Sequence, residues 1–342
     1  MPGAGERAYV YAKACGIIGK SFVGKRIPAL GGLNRLSGLD RLVFPLSGKE
    51  LPERELLPDL EKRITGRAIK QILAIVGSFS SPPELLVRLV RVYEYSDLKS
   101  GLNALVSGDT VLPPLMDIRP FGTVNFRAFP DMGAMLRGTE FEFLLKNRDL
   151  KPGGDAIGAQ TELDRLYYIS LWKALRALPK KDRISAERIL AQEISLRNSI
   201  WVLRLRTYYG MNAEEAEKHL MDIMVKKGRG PEFSLAADAR LSLSLPLDTR
   251  SAWAGWKQEH FLNPETGGRS WQADPRYFQN AASEHLYRLA LHSFRRSPFS
   301  LDAAFCFIKL KQFEEDLLTS VAEGLGLGMS SQDVLALLEV KP

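Results

Sequence analysis

The chain has 342 residues, of which 45% are hydrophobic and 25% charged, and its formal net charge is +7. This is ordinary globular composition, with material for buried cores and length for about two or three domain-sized units. Two cysteines, Cys15 and Cys306, make no secreted disulfide framework, and both are expected to be reduced and buried. The N-terminal stretch MPGAGERAYVYAKACGIIGKSF lacks a basic start before a continuous apolar core, so it does not read as a signal peptide. No apolar run approaches the roughly 20 residues that cross a bilayer, so the expected location is cytoplasmic, with any membrane association peripheral. The positive balance suits nucleic acid, anionic lipid or an acidic protein, but the Lys and Arg residues are dispersed, as at Arg88 and Arg91 or Arg295 and Arg296.

In chain order, helical signals dominate. Residues 6–23 read as a first helix. Pro52 to Ser78 carries Leu56, Leu60, Ile64, Ile69, Ile72 and Leu73 mostly at helical spacing, and Pro58 fits a first turn, where its missing N–H costs nothing. A long helix is expected from Ser81 to Gly108, followed by Pro- and Gly-rich linkers at 107–135 and 151–158. Thr161 to Leu178 is helical again, with Thr161 and Asp164 reading as a capping box. The helix at 183–209 runs into Gly210-Met211-Asn212, a left-handed stop followed by a cap for a helix over 212–225. Residues 228–235 and 263–275 break the pattern. The one respectable alternation, LSLSLPL at 241–247, contains Pro246, which argues against a central strand. Helices at 276–294 and 297–324 follow, and Gly328-Met329-Ser330 introduces a last one at 331–339. The expected fold class is all-α.

The stretches 81–108 and 297–324 match each other. Both open with Ser-Pro and close with Gly, and Leu85, Leu89, Val92, Leu102 and Leu105 correspond to Leu301, Phe305, Ile308, Leu318 and Val321. The helix at 183–209 is a third version. A long amphipathic helix cannot bury its apolar stripe alone, so each copy needs a partner from its own unit or the next. Three such units can close around an axis and leave a hollow; a solenoid would show a tighter period. Three helical subdomains are therefore expected, at 1–135 (with non-contiguous contributions), 136–235 and 236–342.

Chemical signatures are sparse. Gly19-Lys20-Ser21 resembles the tail of a phosphate-binding loop, but Ala14 stands where that loop needs its earlier glycine, and nothing before it reads as a strand. Gly324-Leu-Gly326-Leu-Gly328 follows a helix and reads as a helix terminator rather than a dinucleotide fingerprint. The histidines, His219, His260, His285 and His292, include no pair at metal-binding helical spacing, and none sits in a nucleophile context. No catalytic, cofactor-binding or metal-ligating residue is assigned. RLYYISLWKALRAL and WVLRLRTYYG interleave aromatic and basic residues as single-strand binders do, which makes a helical nucleic-acid-binding protein the alternative. Tyr167, Trp172, Trp201 and Tyr208 also fall where a helical core needs bulk.

Several stretches together resemble the central-stalk adapter family of A-type and V-type ATPases, designated the C subunit in the A-type enzymes and the d subunit in eukaryotes. They are YVYAKACGI, Leu163-Asp164-x-x-Tyr167-Tyr168, Asn198 through Leu203-Arg204, Pro298-Phe299, and Leu310-Lys311-x-x-Glu314. The resemblance runs in order over nearly the whole chain. It departs at Asp316-Leu317-Leu318, where the family begins Arg-Asn two places after the Glu; at Ser199, which intervenes before Ile200; and at Asp97, where the family often carries Asn. The resemblance implies a funnel of three pseudo-threefold helical subdomains around a central cavity, without catalysis or cofactor of its own. Its implied partners are the central-shaft subunits of the soluble sector and the cytoplasmic face of the membrane rotor ring, with torque passing between them for proton or sodium transport. Neither nucleic acid nor a small-molecule substrate is implied. The +7 balance suggests that positive charge helps dock an acidic shaft foot.

Overall fold

The computed structural model describes residues 2–46, 51–147, 149–154, 156–226, 231–265 and 270–338. In chain order the helices are α1 (Ala4–Ile18), α2 (Leu36–Val43), α3 (Glu53–Val76), α4 (Glu84–Val90), α5 (Val92–Ser107), α6 (Met132–Leu136), α7 (Ile157–Arg176), α8 (Ile184–Tyr209), α9 (Ala213–Glu217), α10 (Ala237–Ser242), α11 (Pro275–Arg296), α12 (Leu301–Gly326) and α13 (Ser331–Leu337). One antiparallel hairpin joins β1 (Met224–Lys226) to β2 (Glu232–Ser234), placing Lys226 opposite Glu232. The fold class is all-α, as expected.

Local signals explain several helix ends. Gly108, Gly210 and Gly328 all adopt positive φ, at 81°, 62° and 82°, which lets the chain leave α5, α8 and α12 without the Cβ penalty of another residue. Asn212 and Glu215 form a reciprocal capping box on α9, and Ser330 caps α13 by accepting from the Asp333 N–H. The start of α8 is capped from elsewhere in the chain: Ser185 and Ala186 N–H donate to the Asp302 carboxylate of α12 at 2.8 and 3.0 Å.

Four local expectations change, and one holds. The helix expected from Ser81 to Gly108 is two, α4 and α5, interrupted at Arg91, whose Nε donates to the Phe121 carbonyl at 3.0 Å. Thr161 does not cap α7, which begins four residues earlier; its hydroxyl instead donates to the Ile157 carbonyl at 3.0 Å, and Asp164 pairs with Lys99 at 2.7 Å. Pro58 lies in the second turn of α3, not the first, so the Arg54 carbonyl there has no α-helical N–H to accept. The helix expected over 212–225 stops at Glu217, because Asn198 bonds the main chain of Met221 and holds it extended into β1. LSLSLPL forms no strand, in keeping with its Pro246: Leu241 and Ser242 finish α10, and Arg206 collects the Ser242 and Leu245 carbonyls at 2.8 and 2.9 Å.

The chain divides into two compact units. One comprises Met1–Glu6 and Ile69–Pro179, the other Arg7–Ala68 and Lys180–Pro342. In the first, α4 and α5 pack on α7, and Tyr95 meets Phe141 and Tyr167 edge-on at 4.9 and 5.3 Å between ring centroids. In the second, α12 packs against α2, α8, α11 and α13. Every residue from Leu301 to Ile308 is buried, so this stretch is enclosed on all faces rather than on one stripe. A separate aromatic cluster of Trp253, Trp256, Phe261 and Phe278 packs on Leu196 and Leu203 of α8.

Candidate functional site

The residues singled out in the sequence for possible chemistry do not converge. Gly19-Lys20-Ser21 follows a helix, and the Ser21 hydroxyl donates to the Ile17 carbonyl at 3.0 Å and accepts from Lys311 at 3.1 Å. His285 bonds Gln192 through Nε2 at 2.6 Å, and His292 meets Arg296 at 3.3 Å, so both contact neighbours other than a Ser or Cys. Among the described residues no group of three or more His, Cys, Asp and Glu side chains is placed to hold a metal ion. Both thiols are free, but Cys15 is exposed, which corrects the expectation for that residue; Cys306 is buried. Tyr167 and Trp172 are buried in unit cores and cannot stack on bases. The run Gly324-Leu-Gly326-Leu-Gly328 ends α12, as expected, with Gly326 its last residue and Gly328 at positive φ. Gly324 has a further role, since a Cβ there would stand 2.2 Å from a Val334 methyl, so the close approach of α13 requires the glycine.

What the three kindred helices do share is a buried polar side chain that grips the main chain of a distant segment. On α5, Glu94 accepts from the Thr123 and Val124 N–H groups, the latter at 2.7 Å, and Asp97 accepts from Met116 N–H at 2.9 Å. On α8, Asn198 takes both polar groups of Met221, accepting from its N–H at 2.8 Å and donating to its carbonyl at 3.1 Å. On α12, Glu314 accepts from Phe22 N–H at 2.7 Å. The α8 and α12 clamps satisfy main-chain groups of the buried residues Met221 and Phe22, and leaving such a group unpaired costs about 1–3 kcal/mol.

The α12 clamp is the most highly charged. Glu314 and Lys311 are both 1% exposed. Glu314 Oε1 also accepts from Arg67 at 2.8 Å, while Oε2 pairs with the Lys311 ammonium. Arg67 further donates to the Val43 carbonyl at 3.3 Å and lies over the rings of Phe22 and Phe44. Burial lowers the pKa values of both Lys311 and Arg67, and the Glu314 carboxylate opposes that shift in each. On α5, burial pushes Asp97 up to about 6, with Met116 N–H opposing and Glu94 adding to the rise.

Near this network, within the same unit, lies a cavity of about 430 Å³ lined by Thr65, Asn280, Glu284, Glu315, Asp316 and Glu323 among others. Asp316 lines the cavity and is itself exposed. Of the clamp members, Lys311 and Glu314 stood out in the sequence as a pattern and Asn198 as part of another. Arg67, Phe22 and Met221 carried no signal, because each is defined only by a remote partner.

Comparison with known proteins adds three findings. The model of the ATP synthase (C/AC39) subunit family matches residues 48–337. An uncharacterized protein of Treponema pallidum is 27% identical over 323 residues, covering 94% of this chain and 92% of that protein. A protein of Methanosarcina mazei, named as the C subunit of an A-type ATP synthase, is 23% identical over 196 residues, covering 56% of this chain and 51% of its own length.

Proposed function

The chain belongs to the ATP synthase (C/AC39) subunit family, and from that premise we propose that it is a non-catalytic central-stalk adapter of a rotary A-type or V-type ATPase. Its partners in this reading are the shaft subunits of the soluble ATPase sector and the membrane rotor ring, on whose cytoplasmic face it sits as a peripheral protein. Torque passes through it and drives proton or sodium translocation, or runs in the reverse direction during synthesis. The three kindred helices are the spines of subdomains 1–135, 136–235 and 236–342, with Arg7–Ala68 contributing to the third. They are disposed with pseudo-threefold symmetry as a funnel around a central cavity that receives the shaft.

The observation that carries this reading is the family match over most of the chain. The clamps fit it: an adapter under torsion must not let its connecting segments slide along its helices, and buried polar grips with single geometries resist sliding better than apolar contact alone. The net charge of +7 supports docking to an acidic shaft foot, so binding should weaken as salt rises. The test is affinity purification of the tagged chain from membranes of its own cells. Recovery of a rotor ring together with soluble ATPase subunits is expected. Recovery of the chain alone, or with nucleic acid and no ATPase subunit, overturns the proposal.

A further inference from the structure

The segment after α1 runs across the C-terminal helices and is tied to them by its own main chain at three places. Phe22 N–H donates to Glu314 at 2.7 Å, and Gly24 N–H to the Tyr287 hydroxyl at 2.7 Å. Leu33 and Ser331 exchange two bonds, Leu33 N–H to Ser331 Oγ and Ser331 N–H to the Leu33 carbonyl, both at 2.9 Å. Phe22, Ile27 and Leu30 supply buried apolar anchors between these ties. Gly24, at φ +59°, makes the turn that brings successive amides onto α12 and then α11.

Only the first tie is charged, and its charge is not needed for gripping an amide, since Asn198 grips Met221 with a neutral side chain. Burying two cations around one carboxylate is costly and weak evidence for stability as such. What the ionic version adds is mutual dependence. The Phe22 N–H bonds the same oxygen that neutralises Arg67, and the Ser21 hydroxyl accepts from the Lys311 ammonium. The segment's polar groups therefore solvate the ion cluster, and the cluster in turn holds the segment. Without the segment the cluster keeps its charge with fewer bonds, and without the cluster the Phe22 N–H loses its acceptor.

We propose that residues 19–35 form a latch that opens and closes as one unit over α12 and α11, with the Lys311–Glu314–Arg67 cluster as the catch that sets its equilibrium. The uncharged ties at Tyr287 and Ser331 fix where the latch lies. The inference concerns this chain's own dynamics and stands independently of the adapter reading.

Amide hydrogen exchange on the full chain, followed by mass spectrometry, tests it. In Glu314→Gln the two cations lose their counter-charge while the side-chain shape is kept. Peptides covering 20–34 should exchange at least tenfold faster, with those of α8 and α7 unchanged. In Lys311→Met/Glu314→Gln, which removes one of the stranded cations, part of the protection should return. Equal acceleration across all peptides, or none in 20–34, overturns the latch. Should Glu314→Gln not fold, the wild type decides: the latch requires 20–34 to open at lower free energy than 301–326 under native conditions, and exchange of both only through global unfolding overturns it.

Discussion

Asn198 on α8 holds both main-chain polar groups of Met221, accepting its N–H at 2.8 Å and donating to its carbonyl at 3.1 Å, with Asn198 fully buried and Met221 4% exposed. This pairing ends the helix that the sequence pattern promises after Asn212. In Asn198→Ala two buried main-chain groups lose their partners together. The expected cost is about 2–5 kcal/mol in urea unfolding, from the usual penalty for each unsatisfied group. A loss below about 1 kcal/mol would mean that the Met221 segment finds other partners and the clamp is dispensable.

Asp97 is 4% exposed and titrates near 6 because burial disfavours its charged form. Its folded pKa lies above the ordinary value of 3.8, so its contribution is fully present below about 3.8 and is lost as pH rises through about 6. Asp97→Asn keeps an acceptor for Met116 N–H without the charge. The variant should match the wild type near pH 4 and exceed it near pH 7.5, by at most about 3 kcal/mol, which is the shift converted at 1.36 kcal/mol per unit. Denaturant midpoints at the two pH values check this.

His285 runs the other way. Burial, with His260 and Arg188 nearby, lowers its pKa below 6.5, so the neutral ring is favoured in the folded protein, bonded to Gln192. Its stabilisation is complete above about pH 6.5 and is lost as pH falls through the folded value. Thermal melts of wild type and His285→Gln between pH 7.5 and pH 5 should diverge, with the wild type falling more steeply. Parallel curves would remove His285 from the acid response.

The two thiols should behave differently towards a thiol reagent. Cys15 is exposed, whereas Cys306 is fully buried and its pKa is driven up by burial beside Asp302. The native chain should therefore label once and the unfolded chain twice, as counted by intact mass.

Gly324→Ala tests the close approach of α12 and α13. The added methyl would fall 2.2 Å from Val334 Cγ2, so α13 must shift, at a cost of about 1–3 kcal/mol despite alanine's better helix propensity. The double variant Gly324→Ala/Val334→Ala should recover part of that loss.

The long helices were legible because α8 and α12 announce themselves through apolar spacing and through glycines that stop them at Gly210 and Gly328. The clamps were not, since Glu314 and its partner Phe22 are 292 positions apart and nothing local marks either as one of a pair. The hairpin escaped because β1 and β2 are three residues each, too short for alternation to show, and β2 falls in a stretch that reads as a linker. LSLSLPL was read correctly: its alternation is real, but Pro246 argues against a central strand, and Arg206 and the end of α10 use the carbonyls a strand would need.

The ties between Phe22 and Glu314 and between Leu33 and Ser331 also have a consequence for synthesis. A ribosome adding 5–20 residues per second delivers Glu314 and Ser331 roughly 15–60 s after Phe22 and Leu33. Through that interval Phe22, Ile27, Leu30 and Leu39, all destined for the interior, have nothing from the far end of the chain to cover them. The nascent protein thus carries a sticky early segment that only its last helices can shelter, and it should depend on holding chaperones more than its helical composition suggests.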